Sequence, residues 1–267
     1  MLAFDAAGVL RYASETAPQV LGTPLALGYR CEPGALPPGL EHYLSVWLDS
    51  ADPVFDPLTL ALDEHTYDVI AHRNADGLTL LELERRGDDT GIADPARIYR
   101  GIERIRLQRD IPGLLDRTVQ EVQRATGFDR VMAYRFHPDD SGEIVAERRG
   151  DPTLEDWVGR YPAGDIPAQA RRLYTVNTLR QIADAQYQPV RVLGEDRHDE
   201  PPLEMSFSVL RSVSPIHLEY MANMGVRASM SLSLVIGGKL WGMIACHHHS
   251  PRQIPYPARL ALSLIHI

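Results

Sequence analysis

The segment from Arg211 to Tyr220 contains residue types that suit a polar ligand pocket. Ser214 followed by Pro215 predicts a helix start, because serine caps helix N-termini and proline fits the first helical turn. His217 and Tyr220 then lie one turn apart, with Arg211 shortly before them, and such groups can bind a polar ligand. A single histidine on a helix face is more often a core residue with its hydrogen bonds satisfied, and that alternative stays open.

A second candidate segment begins at Asp165. Pro167 predicts the first turn of a helix that runs to about Ala183. Asp165 at its entrance either caps free amides or directs an oxygen at a cationic ligand. Arg171 and Tyr174 share one helix face, because three to four residues make a turn, and this face is a candidate pocket wall.

The serine series Ser229, Ser231 and Ser233 alternates with apolar residues. This alternation predicts a strand whose apolar side chains face the core. The serines then face either solvent or a pocket in which their hydroxyls hold a carboxylate. Gly237 and Gly238 predict a tight hairpin to the next strand.

Residues 246–249 read Cys-His-His-His, which suggests a metal site at first sight. Neighbours on a strand point to opposite faces, so these four side chains cannot all bind one ion. We therefore expect no metal site. The sequence also lacks a glycine-rich nucleotide loop, a nucleophile elbow and an HExxH motif, so we expect no enzyme active site.

Composition limits the class of protein. The 267 residues are 44% hydrophobic and 24% charged, as in globular proteins of one or two domains. A net charge of −9 argues against nucleic acids and anionic membranes as partners. Two cysteines provide no disulfide framework, which favours a cytoplasmic protein. We see neither a membrane-spanning apolar run nor a secretion signal.

The order of predicted elements favours two α+β domains, each an antiparallel sheet flanked by helices. The first covers residues 1–92, a connecting helix covers 93–110, and the second domain covers 111–267. Both ends of the sequence lie in apolar runs, so we expect a truncated piece of a longer protein.

Five segments together resemble bacterial phytochromes: 165–171, 187–190, 210–220, 223–231 and 237–248. The resemblance extends over nearly the whole chain and is weakest in the first domain. It implies a PAS domain followed by a GAF domain. It also implies a red/far-red photoreceptor that binds biliverdin, an open-chain tetrapyrrole, in a pocket of the GAF domain.

The resemblance assigns roles by position. Asp165 resembles the aspartate whose main-chain carbonyl faces the pyrrole nitrogens, and His217 resembles the histidine that shares their ordered water. His247 resembles the histidine that bonds the carbonyl of the isomerising ring. The aromatic wall around that ring corresponds to Tyr134, Tyr161 and Tyr220. The propionate-binding set corresponds to Arg180, Arg211, Tyr174, Ser214, Ser229 and Ser231. Further expected pocket residues are Ile166, Pro167, Val213 and Ile216.

Pigment attachment departs from the family pattern. Biliverdin-binding members use a cysteine ahead of the first PAS strand, and plant-type members use one at the position of Ile216. Neither Cys31 nor Cys246 matches either position, so we expect non-covalent binding. In the family the preceding segment also threads a GAF loop, which corresponds to residues 191–206, and we expect that loop to have nothing to hold.

One geometric conflict follows from the resemblance. A strict two-glycine hairpin pairs Ser229 with Cys246 and turns His247 to the opposite face. The family places Ser229 and His247 at the same pocket. Either a bulge intervenes, or the pocket wraps around the strand end.

Partners and function follow from the resemblance in the same way. It implies a homodimer in the full-length protein and a response regulator reached through a histidine kinase outside this sequence. The main alternative is a GAF or PAS sensor module that binds another small ligand, such as a cyclic nucleotide. Red absorption after mixing with biliverdin separates these two readings.

Overall fold

The computed structural model describes residues 1–50, 58–87, 94–162, 164, 166–195 and 202–264. The helices in this part of the chain are α1 (Ala17–Leu21), α2 (Pro38–Asp49), α3 (Pro95–Arg106), α4 (Ile111–Thr126), α5 (Ala168–Val176), α6 (Pro215–Asn223) and α7 (Tyr256–Ser263). The strands are β1 (Leu2–Phe4), β2 (Leu10–Ser14), β3 (Leu58–Leu62), β4 (His65–Arg73), β5 (Thr79–Arg85), β6 (Arg130–Phe136), β7 (Gly142–Arg149), β8 (Gly159–Tyr161), β9 (Leu179–Ile182), β10 (Val192–Gly194), β11 (Ala228–Ile236) and β12 (Lys239–His248).

The chain divides into two units. The first comprises Met1–Arg86 and Gln188–Ser212, and the second comprises Gly87–Tyr187 and Val213–Ile267. The described strands of each unit form an antiparallel sheet with helices packed against it. This confirms the predicted α+β class. The predicted boundaries differ from these units in two places. Residues 87–110, which include the predicted connecting helix, belong to the second unit, and the segment 188–212 belongs to the first.

The first unit is built on a sheet with the order β10-β2-β1-β5-β4-β3. Helix α2 packs on this sheet because Leu40 and Leu44 lie on one of its faces. Both are buried with Val69 and Leu81 of the central strands. Burial of this apolar stripe is the main contribution to stability that the helix makes.

The segment 188–212 is bound to the rest of the first unit at separate places. Val192–Gly194 pairs with β2 as an edge strand. Further along, the Glu82 carboxylate accepts hydrogen bonds from the amides of Val209 and Leu210 at 3.0 and 2.8 Å. A sheet edge and a buried carboxylate therefore bind this segment. The expectation that the loop 191–206 has nothing to hold concerns a preceding segment threaded through it, and it stays a prediction.

The second unit contains a sheet with the order β8-β7-β6-β12-β11-β9. Helix α4 covers one face of it, and the side chains of Val119 and Val122 are buried there with Met230, Leu232 and Ile244. Met230 and Leu232 belong to the apolar half of the alternating pattern on β11, and Ile244 lies beside them on β12. The pattern therefore buries the face that the sequence predicted.

The predicted glycine hairpin is confirmed, and it contains a bulge. Gly237 and Gly238 both have positive φ, at 57° and 75°, as a two-residue hairpin turn requires. The register shifts between Leu234 and Val235, so that one extra residue enters β12. As a result Ser229 lies opposite His247, and both side chains point to the same face.

The helix predicted from Pro167 to Ala183 is shorter in the structure. Helix α5 ends at Val176, and Leu179–Ile182 forms the edge strand β9 beside β11. The β-branched residues Thr175 and Val176 weaken the helix at this point, and the free edge of β11 provides hydrogen bonds to the chain that follows. This change places Arg180 directly opposite Ser231.

Among the described helices, none combines the length and the apolar composition that crossing a bilayer requires.

Glu82 is completely buried, and this burial raises its pKa to about 7 despite the two amides that donate to it. We predict that Glu82→Ala releases the segment around Val209 and Leu210. Above pH 7, where the carboxyl is ionised, their amides should then exchange hydrogen at least tenfold faster, because each bond to a charged acceptor contributes about 1.5–3 kcal/mol. Hydrogen exchange read by NMR measures this, with the exposed Glu64→Ala as control. Unchanged protection of both amides in Glu82→Ala would contradict the assignment.

Candidate functional site

A cavity of about 340 Å³ lies on the face of the second sheet opposite α4. Its volume falls within the range of small-molecule sites. Strands β6, β7, β11 and β12 form the floor, and α5 and α6 contribute to the walls. It is lined by Met132, Tyr134, Ile144, Trp157, Tyr161, Ile166, Pro167, Ala170, Tyr174, His217, Tyr220, Met224, Ser229, Ser231, Met243, Ala245 and His247.

The strand order separates two kinds of surface within the cavity. Tyr134 and Tyr161 come from β6 and β8, where their rings lie 6.3 Å apart. Ser229 and Ser231 come from β11, on the other side of β12. Arg180 on β9 is not a lining residue, but it lies next to this polar side, since it pairs with Ser231. The floor therefore changes from aromatic to hydroxyl groups along the sheet, and a guanidinium lies on the edge strand beyond them.

His247 occupies the middle strand, between these two surfaces. Its Nδ1 atom is buried and has no hydrogen-bond partner among the described residues. Burial lowers the pKa of His247 to about 4, and the charges of Arg130, His217 and His249 act in the same direction. The ring is therefore neutral at physiological pH, with one nitrogen available to a ligand.

His217 enters the cavity from the first half of α6. Its ring stacks on that of Tyr220, with centroids 6.3 Å apart. Burial lowers the pKa of His217, and the positive charge of Arg180 lowers it further. The cavity thus contains two neutral imidazoles and has a guanidinium beside Ser231.

The four residues of the Cys-His-His-His motif separate as strand alternation requires. Cys246 is buried in the core on the α4 side, and His247 lines the cavity. His248 and His249 each place Nδ1 near an Asp129 oxygen, at 2.7 and 3.0 Å. Within the described residues, no three His, Cys, Asp or Glu side chains form a group that could hold a metal ion.

Many of the residues predicted for the site meet in this cavity. These are Tyr134, Tyr161, Ile166, Pro167, Tyr174, His217, Tyr220, Ser229, Ser231 and His247. Val213, Ser214 and Ile216 stand at the start of α6 but do not line the cavity, and Ile216 is 78% exposed. Arg211 belongs to the first unit, where it donates to the Ser206 carbonyl at 2.6 Å. Asp165 lies outside the described residues.

Other lining residues were absent from the sequence prediction: Met132, Ile144, Trp157, Ala170, Met224, Met243 and Ala245. Strand alternation provides a signal for part of this set. Met132 lies two residues from Tyr134, and Met243 and Ala245 precede His247 by four and two residues. Trp157 lies in the loop before β8, where no periodic pattern predicts its direction.

Gly142 leaves space for the phenol ring of Tyr134. A Cβ atom added at Gly142 would collide with that ring, which forms part of the cavity wall. We predict that Gly142→Ala displaces Tyr134 and lowers the free energy of unfolding by about 1–3 kcal/mol, as overpacking does. Urea denaturation and near-UV circular dichroism measure the two effects.

Gly164→Ala is the matched control, because nothing lies within 4 Å of the added Cβ. Near-UV spectra that change equally in both variants would contradict a specific role of Gly142.

The neutral ring of His247 also predicts a pH effect on stability. The unfolded chain takes up a proton at this residue below pH 6.5, whereas the native ring does so only near pH 4. Stability therefore falls as the pH drops through this window. We predict that His247→Gln reduces the loss in unfolding free energy between pH 7 and pH 5 by roughly 1–2 kcal/mol, measured with urea. The exposed His42→Gln should keep the parent's slope, and an unaltered slope in His247→Gln would show that this ring is not held neutral.

Comparison with known proteins identifies the family. Residues 110–264 match the model of the GAF domain. The chain is 44% identical to the bacteriophytochrome of Pseudomonas aeruginosa, over 99% of this chain and 36% of that protein. It is also 44% identical to cyanobacterial phytochrome B of a Nostoc strain, over 79% of this chain and 29% of that protein. The chain thus spans about a third of the length of these curated relatives.

Solved structures agree with this identification. The wild-type chromophore-binding domain of a Stigmatella aurantiaca phytochrome matches with a TM-score of 0.82 and 41% identity, over 99% of this chain and 90% of that one. The chromophore-binding domain of an unusual bacteriophytochrome from R. palustris matches with a TM-score of 0.84 and 34% identity, over 99% of this chain and 89% of that one. The chain therefore belongs to the bacteriophytochrome family, and it corresponds to the chromophore-binding region with its GAF domain at residues 110–264.

Proposed function

We propose that the cavity of the second unit binds biliverdin, a linear tetrapyrrole, and that the chain acts as the light-sensing module of a red/far-red photoreceptor. The observation that carries this proposal is the order of surfaces along the cavity floor. Four strand spacings separate β7 from β9, a distance of about 19 Å. An elongated ligand with an apolar end and anionic groups suits this arrangement.

The polar side of the cavity suits the carboxylates of the pigment. Arg180 provides a guanidinium beside Ser231, and Ser229 adds a second hydroxyl on the same face. Arginine binds carboxylates through paired N–H donors, and hydroxyls complete the remaining acceptor positions. We assign propionate binding to these three residues. The same role for Arg211 and Ser214 stays a prediction from the resemblance.

The other side suits the ring that changes configuration in light. The pigment, when bound, supplies the light absorption and the isomerising double bond. Tyr134 and Tyr161 offer apolar ring faces there, and His247 offers its unpartnered Nδ1 atom from the neighbouring strand. Neutral rings at His217 and His247 avoid repulsion of a protonated, positively charged pigment. The roles of Asp165 and Ile216 stay predictions.

The remaining parts of the proposal concern the whole protein. We assign the first unit to a PAS domain, because strands of its antiparallel sheet alternate with short helices. We propose that the chain is a sensor without catalysis of its own, which acts in the cytoplasm. In the full-length protein it would form a homodimer and signal through a histidine kinase to a response regulator. Phytochrome relatives favour this reading over a module for cyclic nucleotides.

Titration with biliverdin, followed by red absorbance, tests the carboxylate assignment. We predict that Arg180→Met weakens binding at least tenfold, because a charge-assisted hydrogen bond contributes about 1.5–3 kcal/mol. Arg211→Ala should also weaken binding if its predicted role holds. Arg97→Ala, with a side chain 71% exposed on α3, should bind as the parent does. Equal affinities of Arg180→Met and Arg97→Ala would remove Arg180 from the site.

Neither cysteine of this sequence should anchor the pigment. Cys246 is buried on the core face of the sheet, away from the cavity, and burial raises its pKa strongly. Burial and the charge of Glu41 raise the pKa of Cys31, which reduces its thiolate fraction. We predict that the 267-residue chain shows no pigment band in zinc-induced fluorescence after denaturing electrophoresis. A band that disappears in Cys31→Ser or Cys246→Ser would identify an anchor and contradict this prediction.

A further inference from the structure

We propose that Arg130 is a positioning residue of the pocket, which fixes the indole of Trp157 at the cavity wall and holds the neighbouring imidazole of His247 uncharged toward the ligand. The inference rests on the proposed function, because it concerns the surroundings of the bound pigment. Arg130 does not line the cavity itself. It acts through the rings of Trp157 and His247, which do line it.

The register of the sheet brings these three side chains together. Arg130 on β6 lies directly opposite His247 on β12, so both project from the same face. The guanidinium carbon of Arg130 lies 3.7 Å from the centroid of the Trp157 ring, within the range of a cation–π contact. The Trp157 ring in turn meets the His247 ring edge-on, with centroids 6.1 Å apart. The three groups form one stack that ends at the cavity.

The guanidinium of Arg130 is fixed by partners on its other sides. It forms an ion pair with Glu147, and it donates a hydrogen bond of 2.6 Å to the Glu155 carbonyl. Glu147 also accepts a hydrogen bond of 3.3 Å from the main-chain amide of Trp157. One carboxylate therefore binds both Arg130 and Trp157. The side chains of Arg130 and Glu147 are only 6% and 3% exposed. A buried pair bonded on several sides retains one geometry, which in turn restricts the indole.

The charge distribution around His247 follows from this geometry. Arg130 on β6, His217 on α6 and His249 beyond β12 all oppose a positive charge on the ring. The carboxylate of Glu147 on β7 is paired with Arg130, and Arg149 on the same strand lies 3.7 Å from its other oxygen. The buried Nδ1 atom of His247 has no hydrogen-bond partner among the described residues. Arg130 thereby helps to keep the ring neutral, with that nitrogen free to bond the ligand.

The test uses the pigment-free protein. A result against the role of Arg130 can therefore be distinguished from a failure of the protein to bind biliverdin. The double variant Arg130→Met/Glu147→Gln removes the pair without leaving one buried charge alone. NMR of labelled histidines follows the titration of His247, whose signal is assigned by its loss in His247→Gln. We expect the His247 midpoint to rise by about 0.5 pH unit or more in the double variant. Glu147→Gln alone, which keeps the charge of Arg130, should not raise it.

Arg130→Lys separates charge from stacking. Lysine keeps the positive charge but lacks the flat guanidinium, so the His247 midpoint should stay while the indole N–H signal of Trp157 shifts. The control Arg104→Met/Glu121→Gln removes a bidentate pair on the α4 side of the sheet and should change neither readout.

An unchanged His247 midpoint in Arg130→Met/Glu147→Gln overturns the proposal. If that variant fails to fold, an unchanged Trp157 signal in Arg130→Lys overturns it independently.

Discussion

The register between β11 and β12 is the constraint on which the site depends. A one-residue shift turns every side chain of a strand to the other face. The bulge at Leu234 and Val235 makes that shift once, and beyond it Ser229 lies opposite His247 and Ser231 opposite Ala245. Without it, His247 would point into the core and Cys246 would enter the cavity. One local irregularity therefore places the imidazole of His247 on the same face as the hydroxyls and the thiol of Cys246 in the apolar core.

The polar groups in the cavity are hydroxyls and imidazoles that carry no charge. Hydroxyls and imidazoles lose less by burial than charged groups do, and burial itself keeps the histidines neutral. Arg180 is the charged residue beside the serine surface, on an edge strand. On the opposite side of the cavity the buried charge of Arg130 is paired with Glu147. The sheet thus presents a neutral middle and a cationic end to a ligand.

The sequence was sufficient for the parts of the site with strong local patterns. Alternation predicted β11, two glycines predicted the hairpin, and proline predicted the start of α6. The bulge could be deduced only as one of two alternatives, because it needed the family resemblance to show that Ser229 and His247 share a pocket. The edge strand at Arg180 was mistaken for helix, since its strand conformation depends on hydrogen bonds to β11. Trp157 was missed because tertiary contacts with Arg130 and His247 determine its position.

The central claim is that the face bearing Ser231 and Ala245 holds the pigment. Ala245 lies opposite Ser231 in the middle of the cavity floor, so a large side chain there fills the space that a ligand needs. The most direct measurement is red absorbance after adding biliverdin to the parent, to Ala245→Trp and to the exposed control Ala222→Trp. The account predicts red absorption for the parent and the control, and its loss in Ala245→Trp with the far-UV circular dichroism retained. Equal red absorption of Ala245→Trp and the parent would contradict it.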